Sequence, residues 1–237
     1  MDWPGVCTVV IPCFNEAAAI ASVVRRVLIY LPRVLVVDDG STDDTARVAG
    51  AAGAQVLRQP RNEGKGAALV AGWRQAQAQG SSWALCLDGD GQHDPGDIPT
   101  FLVCAAQSGA DLVIGNRFSN GPPPMPPLRR TVNRWMSRRL SDRAGQALPD
   151  TQCGYRLLRL DLLPRVRLIG RRFEVESELL LAVLQVGGRV EFVPVSSRPA
   201  SSPSKIRPVR DAWRWWRWWR TACPSLRRSP HPPEHGH

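Results

Sequence analysis

The sequence predicts an α/β domain: a mostly parallel central sheet flanked by helices, followed by an amphipathic helix that lies at an interface. Three observations carry this reading. Short apolar runs alternate with helix-length segments through the first half of the chain, acid- and glycine-rich stretches fall at the ends of those runs, and arginine interleaves with tryptophan in "DAWRWWRWWR" near the C-terminus. Strands that alternate with helices build parallel sheets. Their crossovers are right-handed, and their ligands gather at the carboxyl ends of the strands. The 237 residues suffice for one such domain with an extension. We divide them into the domain itself (1–208), the Trp/Arg helix (209–222) and a disordered tail (223–237), with no internal repeat.

Each element has its own warrant. "VCTVVIP" is a short apolar run, fit for a strand buried on both faces. A helical stretch follows from about Glu16 to Tyr30. "RVLVVDDG" is a second strand, ending in acids and glycine, and "STDDTARVAGAAG" opens with an N-cap residue and stops at glycine. "AQVLRQ" is a third strand, "GKGAALVAGWRQAQAQG" a helix and "WALCLDGD" a fourth strand. Residues 97–108 are helical, and "DLVIGNR" is a fifth strand. The pattern then changes. "NGPPPMPP" is a stiff proline-rich loop. In the helix over 128–143, Leu128, Val132, Trp135, Met136 and Leu140 share one face and arginines crowd the rest. "TQCGYRLLR" reads as a strand, "VESELLLAVLQVGG" as a helix ending in glycines, "RVEFVPV" as a strand and "RPASSPSKIRP" as a flexible loop.

Composition narrows the class. Hydrophobic residues make up 43%, ordinary for a packed globule. The six cysteines form no CxxC pair, and Cys7, Cys13 and Cys86 sit in apolar runs as small buried hydrophobes. A disulfide framework is not expected in a chain this long, which points to a reducing, cytoplasmic setting. No secretion signal is evident, and no run reaches the ~20 apolar residues that span a bilayer. The net charge of +10 is uneven: most acids precede position 112, and arginine dominates from Arg117 onward. A basic half suits an anionic partner, whether nucleic acid, membrane surface or phosphorylated substrate.

The chemistry starts from "LCLDGDGQHDP". Asp88 and Asp90 bracket Gly89, and residues two apart in an extended segment point the same way. Both carboxylates can therefore meet one hard cation, such as Mg²⁺ or Mn²⁺ shared with a substrate diphosphate, and Gln92 could add a carbonyl oxygen. The same residues also make an acidic turn with Asp94 as a helix cap. Asp38 and Asp39 end the second strand in common turn chemistry. Glu16 suits a helix's first turn. "RNEGKG" sets Lys65 between glycines at a helix start, which suits phosphate without being the longer P-loop pattern.

Taken together, "IPCFNE", "VVDDGSTDDT", "NEGKGAAL", "DGDGQHDP", "DLVIGNRF", "DTQCGYRLL", "FEVE" and "SPSKI" occur in an order that resembles the family-2 glycosyltransferases, in particular their dolichol-phosphate mannosyltransferase-like, polyprenyl-phosphate-using branch. The resemblance runs from about Val9 to Arg220. It implies a GT-A (Rossmann-like) fold, a nucleotide-sugar donor (a GDP- or UDP-hexose), a divalent metal and a lipid-phosphate acceptor. By position, Pro12, Phe14, Glu16, Val37 and Asp39 match the nucleoside pocket. Asp88, Gly89, Asp90 and Gln92 match the diphosphate and metal segment, with Lys65 beside the donor phosphates. Arg117 matches an arginine near donor and acceptor phosphates, and Arg198 and Lys205 match a basic pair on a loop. Asp90 and Arg117 are the expected catalytic residues. Phe14 departs from the family's tyrosine, losing a hydroxyl, and the Arg198–Lys205 spacing is longer than usual.

A diphosphate leaving group gains charge as the sugar bond breaks, and a metal with cationic side chains stabilises it. A phosphate acceptor is mostly ionised near neutrality, its second pKa being about 6, so no catalytic histidine is required and attack opposite the leaving group inverts the anomeric centre. His93 reads as structural. Arg129, Arg130 and Arg134 follow the proline loop, with Arg130 and Arg134 assigned alongside Arg117 to the acceptor phosphate; a solvated basic face is the other reading. Glu174, Glu176 and Glu178 suit either a supporting acidic role or a helix's first turn. In "DAWRWWRWWR", Arg210, Arg214, Arg217 and Arg220 fall on one side and Trp215, Trp216 and Trp219 on the other. This pattern favours anionic membrane surface over nucleic acid.

The resulting expectation is a metal-dependent, inverting glycosyltransferase. It moves one sugar onto a dolichyl or undecaprenyl phosphate, sits peripherally on the cytoplasmic face of a membrane, binds no nucleic acid and is open to a separate membrane-protein partner. Three alternatives remain: transfer to a glycan or protein hydroxyl, nucleotidyl transfer, or a non-catalytic membrane adaptor of the same fold.

Overall fold

In a computed structural model, residues 1–199 and 208–221 are described. Lys205 and the 223–237 tail lie outside them. The chain runs α1 (Trp3–Val6), β1 (Cys7–Cys13), α2 (Ile20–Val27), β2 (Val34–Asp38), α3 (Thr45–Ala51), β3 (Gln55–Arg58), α4 (Lys65–Ala78), β4 (Trp83–Cys86), α5 (Ile98–Ser108) and β5 (Leu112–Asn116). It continues through α6 (Pro127–Ala144), β6 (Arg156–Arg159), α7 (Glu174–Gln185), β7 (Val190–Pro194) and α8 (Pro208–Thr221).

The seven strands form one sheet in the order β3-β2-β1-β4-β6-β5-β7. β1 pairs in parallel with β2 and β4, as β2 does with β3 and β5 with β7. β6 alone is antiparallel to both neighbours. β2, β4 and nearly all of β1 are buried, as an apolar run covered on both faces requires. The strand order reverses between β1 and β4, so a crevice opens at their carboxyl ends.

Helix boundaries differ from the sequence reading where the chain serves that crevice. The stretch expected to be helical from Glu16 starts its helix only at Ile20. Asn15 holds a left-handed φ of 53°, and the residues after it are committed to side-chain bonds with the loop that follows β2. The C-terminal helix is built into the domain: α8 packs on α6 and α7. No helix among the described residues is long and apolar enough to cross a membrane.

Candidate active site

Two loops make the outer wall of the crevice. Asn15 N donates to Ser41 Oγ at 2.9 Å, Thr42 N donates to Asn15 Oδ1 at 2.9 Å, and Glu16 N donates to Thr45 Oγ1 at 2.8 Å. "FNE" and "GSTDDT" are thereby one clamped unit. Pro12, Phe14 and Glu16 stand half-buried along it. Two residues assigned to the nucleoside pocket have other work. Val37 is fully buried in the sheet, so no ligand reaches it. Asp39 accepts from Glu63 N at 2.7 Å and from Gly64 N at 2.8 Å, so both of its oxygens hold the "RNEGKG" loop. Burial raises its carboxyl, and those two amides only partly offset it.

The "DGD" segment reaches the end of β1 because Gly89 has no side chain: a Cβ there would sit 2.5 Å from Cys13 Sγ. This brings Asp88 to Lys65, whose Nζ lies 2.6 Å from Asp88 Oδ1 and 2.7 Å from Glu176 Oε1. Gly154, which sequence reasoning passed over, leaves room for that pair, since a Cβ would come within 2.8 Å of Lys65 Nζ. Burial opposes charge on both partners. The Lys65 ammonium and the His93 ring, 3.6 Å away, nevertheless hold the Asp88 carboxyl well below the usual range. The two carboxylates raise Lys65 in turn. His93 is buried against Tyr155, in keeping with a structural role.

Asp90 behaves oppositely. Burial raises its carboxyl, and the charge of Asp88 raises it further. Gln92 braces it, donating from its backbone N at 2.9 Å and from Nε2 at 2.8 Å. The Gln92 amide, expected to lend a ligand oxygen, here faces Asp90 with its Nε2 as a donor. Two neighbouring carboxylates that raise each other's cost of ionisation suit a divalent cation, and an all-oxygen set suits Mg²⁺ or Mn²⁺. Among the described residues no group of three or more His, Cys, Asp or Glu converges on a metal position. Asp88 and Asp90 would hold such an ion, with the remaining ligands drawn from a diphosphate and water.

From Lys65 and Asp88 a cavity extends between α6 and α8, lined by Arg117, Arg129, Val132, Met136 and Trp215 among others. Arg117 is buried, and its Nε and Nη2 grip the two oxygens of Asp150 at 2.7 and 2.8 Å. That fork leaves part of the guanidinium facing the cavity. Asp150 opens the "DTQCGYRLL" stretch, which carries no sign of the arginine it pairs with. Its partnership arises only when the loop before β6 folds under β5, pinned by Ser137 Oγ, which accepts from Thr151 N at 3.0 Å. Burial and the like charge of Arg117 lower Arg129.

Arg130 and Arg134, assigned to the acceptor phosphate, do not line this cavity. Helix residues advance about 100° each, so the face carrying Arg129, Val132, Asn133 and Met136 turns Arg130 and Arg134 aside. Arg134 instead lies 5.3 Å over the Phe118 ring. Arg198 pairs with Asp94 at 2.6 Å, and its backbone N donates to the Gln92 carbonyl at 2.9 Å. It therefore sits beside the "DGDGQHDP" segment with its charge already matched.

The tryptophan helix also sorts differently from its helical projection. Trp215, expected at a membrane surface, is 2% exposed. Its Nε1 donates to Ser177 Oγ at 2.9 Å, and its ring stacks on Trp219 and meets Trp135 edge-on. Trp219 is half-buried. The outward indoles are Trp213 and Trp216, with Arg217 and Arg220 over their rings. Packing against α7 decides this face, and the alternation of Trp and Arg alone does not encode it.

A parallel-sheet crevice edged by paired carboxylates, a clamped loop pair and a cavity carrying both cations and acids suit a transferase that handles phosphorylated substrates. The profile described as "Glycosyl transferase family 2" matches residues 8–167. The chain belongs to that family and is a glycosyltransferase. Glycosyltransferase AglJ of Haloferax volcanii is 33% identical over 217 residues, covering 89% of this chain and 70% of that protein. Polyprenol monophosphomannose synthase of Mycolicibacterium smegmatis is 34% identical over 209 residues, covering 79% of this chain and 76% of that one. Among solved structures, glucosyl-3-phosphoglycerate synthase from Mycobacterium tuberculosis, crystallised with Mn²⁺, UDP and glucosyl-3-phosphoglycerate, superposes with a TM-score of 0.73 at 24% identity. The match covers 98% of this chain and 82% of that one, and establishes the GT-A-like fold.

Proposed function

We propose that this glycosyltransferase moves a single sugar from a UDP- or GDP-hexose to the phosphate of a polyprenol, dolichyl or undecaprenyl, with inversion, working at a membrane surface. The observation that carries the reading is the double character of the cavity: Arg117 and Arg129, with Lys65 held between Asp88 and Glu176, at its polar end, and Val132, Met136 and Trp215 along its wall. A phosphate joined to an apolar chain fits both. The likeness to a polyprenol monophosphomannose synthase supports the same class of acceptor.

In this reading Pro12, Phe14 and Glu16 receive the nucleoside, and Arg117 and Arg129 orient the acceptor phosphate. That phosphate is its own nucleophile, being largely dianionic at neutral pH, and no protein base removes a proton from it. Lys65, clamped between Asp88 and Glu176, fixes the Asp88 carboxylate and lends positive charge where the leaving diphosphate gains negative charge. A divalent cation held by Asp88 and Asp90 would supply further neutralisation of that diphosphate. Arg198 and Lys205 are assigned to the donor phosphates, and Trp213 and Trp216 take over the membrane-facing role first given to Trp215, Trp216 and Trp219.

One observation favours a second reading. Glu174 and Asp211 also line the cavity, and either could serve as the base that a hydroxyl acceptor on a small phosphorylated molecule requires. The deciding experiment incubates the protein with a panel of nucleotide sugars, Mg²⁺ or Mn²⁺, and either polyprenyl phosphate in vesicles or phosphoglycerate, and identifies the lipid and soluble products by mass. A glycosylated polyprenyl phosphate is expected. Glycosylation of phosphoglycerate without any lipid product would overturn the proposal in favour of the second reading.

A further inference from the structure

A second cleft, of about 560 Å³, lies between the 169–174 segment and α8. It shares only Glu174 with the reaction cavity. Its volume falls within the range of small-molecule sites. Four arginines line it, Arg171 and Arg172 from the segment and Arg214 and Arg217 from α8, against Glu174 as the one acid of the lining. Arg214 is tied to Asp211 at 3.7 Å. Among the described residues no ion pair engages Arg171, Arg172 or Arg217, while Arg217 rests 6.0 Å over the Trp213 ring. Like charges brought together around a cleft repel unless an anion enters, and guanidinium forks match phosphate oxygens two at a time.

The rim identifies the anion's carrier. Ile169 and Trp213 line the cleft and are 55% and 56% exposed. The next outward indole of the same helix, Trp216, is 42% exposed, with Arg220 4.7 Å over its ring. A soluble phosphate gains nothing from such a rim. Indoles beside guanidiniums suit the head-group level of a bilayer, where an apolar body and a cation are both satisfied. We propose that this cleft binds the phosphodiester head group of an anionic membrane lipid, with the four arginines around the phosphate and Ile169 and Trp213 reaching toward the acyl chains. The inference rests on the membrane-surface reading above and gives it a defined site. The opposite side of the same segment carries Phe173 and Glu174 into the reaction cavity, so a bound head group would set that cavity against the bilayer that holds the acceptor.

The test is co-sedimentation with vesicles of phosphatidylcholine, with and without phosphatidylglycerol. Arg171→Gln/Arg217→Gln removes one arginine from each wall, both exposed. Arg25→Gln/Arg74→Gln removes the same charge from exposed positions on α2 and α4. Melting temperature and nucleotide binding confirm that each variant is folded. The cleft variant should lose roughly thirtyfold in affinity for phosphatidylglycerol vesicles, the strength of two arginines near an anionic surface, and the control variant severalfold less. Equal losses in both would assign the binding to net charge and overturn the site. Binding of inorganic phosphate that depends on Arg171 and Arg217, without preference for phosphatidylglycerol vesicles, would make the cleft a soluble-phosphate site and overturn the lipid assignment. Lipid binding as described, with no transfer to polyprenyl phosphate from any nucleotide sugar, would remove the proposed reaction and leave this site standing.

Discussion

The proposed donor half and the proposed acceptor half of this enzyme are built by different means. In the donor half, side chains leave the ends of parallel strands and are fixed by backbone amides. Asp39 is held by Glu63 N and Gly64 N, and Asp90 by Gln92 N. In the acceptor half, arginines and indoles ride on α6 and α8, and helix–helix packing decides which of them reach the cavity. A strand end has one place to point. A helix offers a choice of faces, and the choice is made by contacts distant in sequence, such as Ser177 with Trp215. The contrast teaches that strand ends bring the right residues to the first half, although Val37, Asp39 and Gln92 take other roles there, while in the second half even the choice of face needs the fold.

The largest effect should come from the acceptor half. Trp215→Ala is expected to destabilise the fold by about 3–5 kcal/mol, as loss of a buried aromatic does, whereas Trp216→Ala should stay within about 0.5 kcal/mol. Chemical denaturation of both variants reads this directly, and equal stabilities would return Trp215 to the surface. Next, Asp90→Asn should lower kcat roughly 10²–10³-fold, the scale of losing one electrostatic stabiliser, with the melting temperature preserved. Retention of wild-type turnover would remove Asp90 from the chemistry.

A smaller effect sharpens the contrast within one helix. Arg129→Gln should cost about 1.5–3 kcal/mol of acceptor kcat/KM, roughly ten- to a hundredfold, with nucleotide affinity unchanged, while Arg130→Gln should leave both untouched. The reverse pattern would mean that α6 presents its other face. The smallest effect concerns pH. Burial and Asp88 raise the Asp90 carboxyl, and a proton there competes with a cation. Mn²⁺ affinity, measured calorimetrically, should therefore begin to fall with decreasing pH above the ordinary aspartate range near about 3.9. Asp88, held low chiefly by Lys65 against its burial, would not titrate in that window. A Mn²⁺ affinity flat down to the ordinary range would contradict the raised Asp90.

Much of the donor half was legible in the sequence because apolar runs of strand length, punctuated by acids and glycine, encode both the sheet and the positions that leave it. Lys65 meets Asp88 for that reason, whereas Asp90 lies in the turn after β4 and is braced by Gln92. Val37 was misassigned because it lies inside β2, where its side chain packs against Gly72 of α4, while Asp39 stands past the strand's end. Gly154 and Asp150 both stand in "DTQCGYRLL", but their roles depend on distant partners: one is defined by the Lys65–Asp88 pair it makes room for, the other by a buried arginine 33 residues away. On α6 and α8 the repeat of arginine and tryptophan gave several equivalent faces, so the choice of Arg129 over Arg130 and Arg134, the exposure of Trp213 and the burial of Trp215 emerged only with the packing.

The central claim is that the acceptor's phosphate is itself the nucleophile. It is tested most directly by nucleoside diphosphate release in the presence of polyprenyl phosphate or of the matching polyprenol, with the same nucleotide sugar and metal. The account predicts release with the phosphate and none above background with the alcohol. Comparable release with both, or with the alcohol alone, would show that the cavity activates a hydroxyl, and would contradict it.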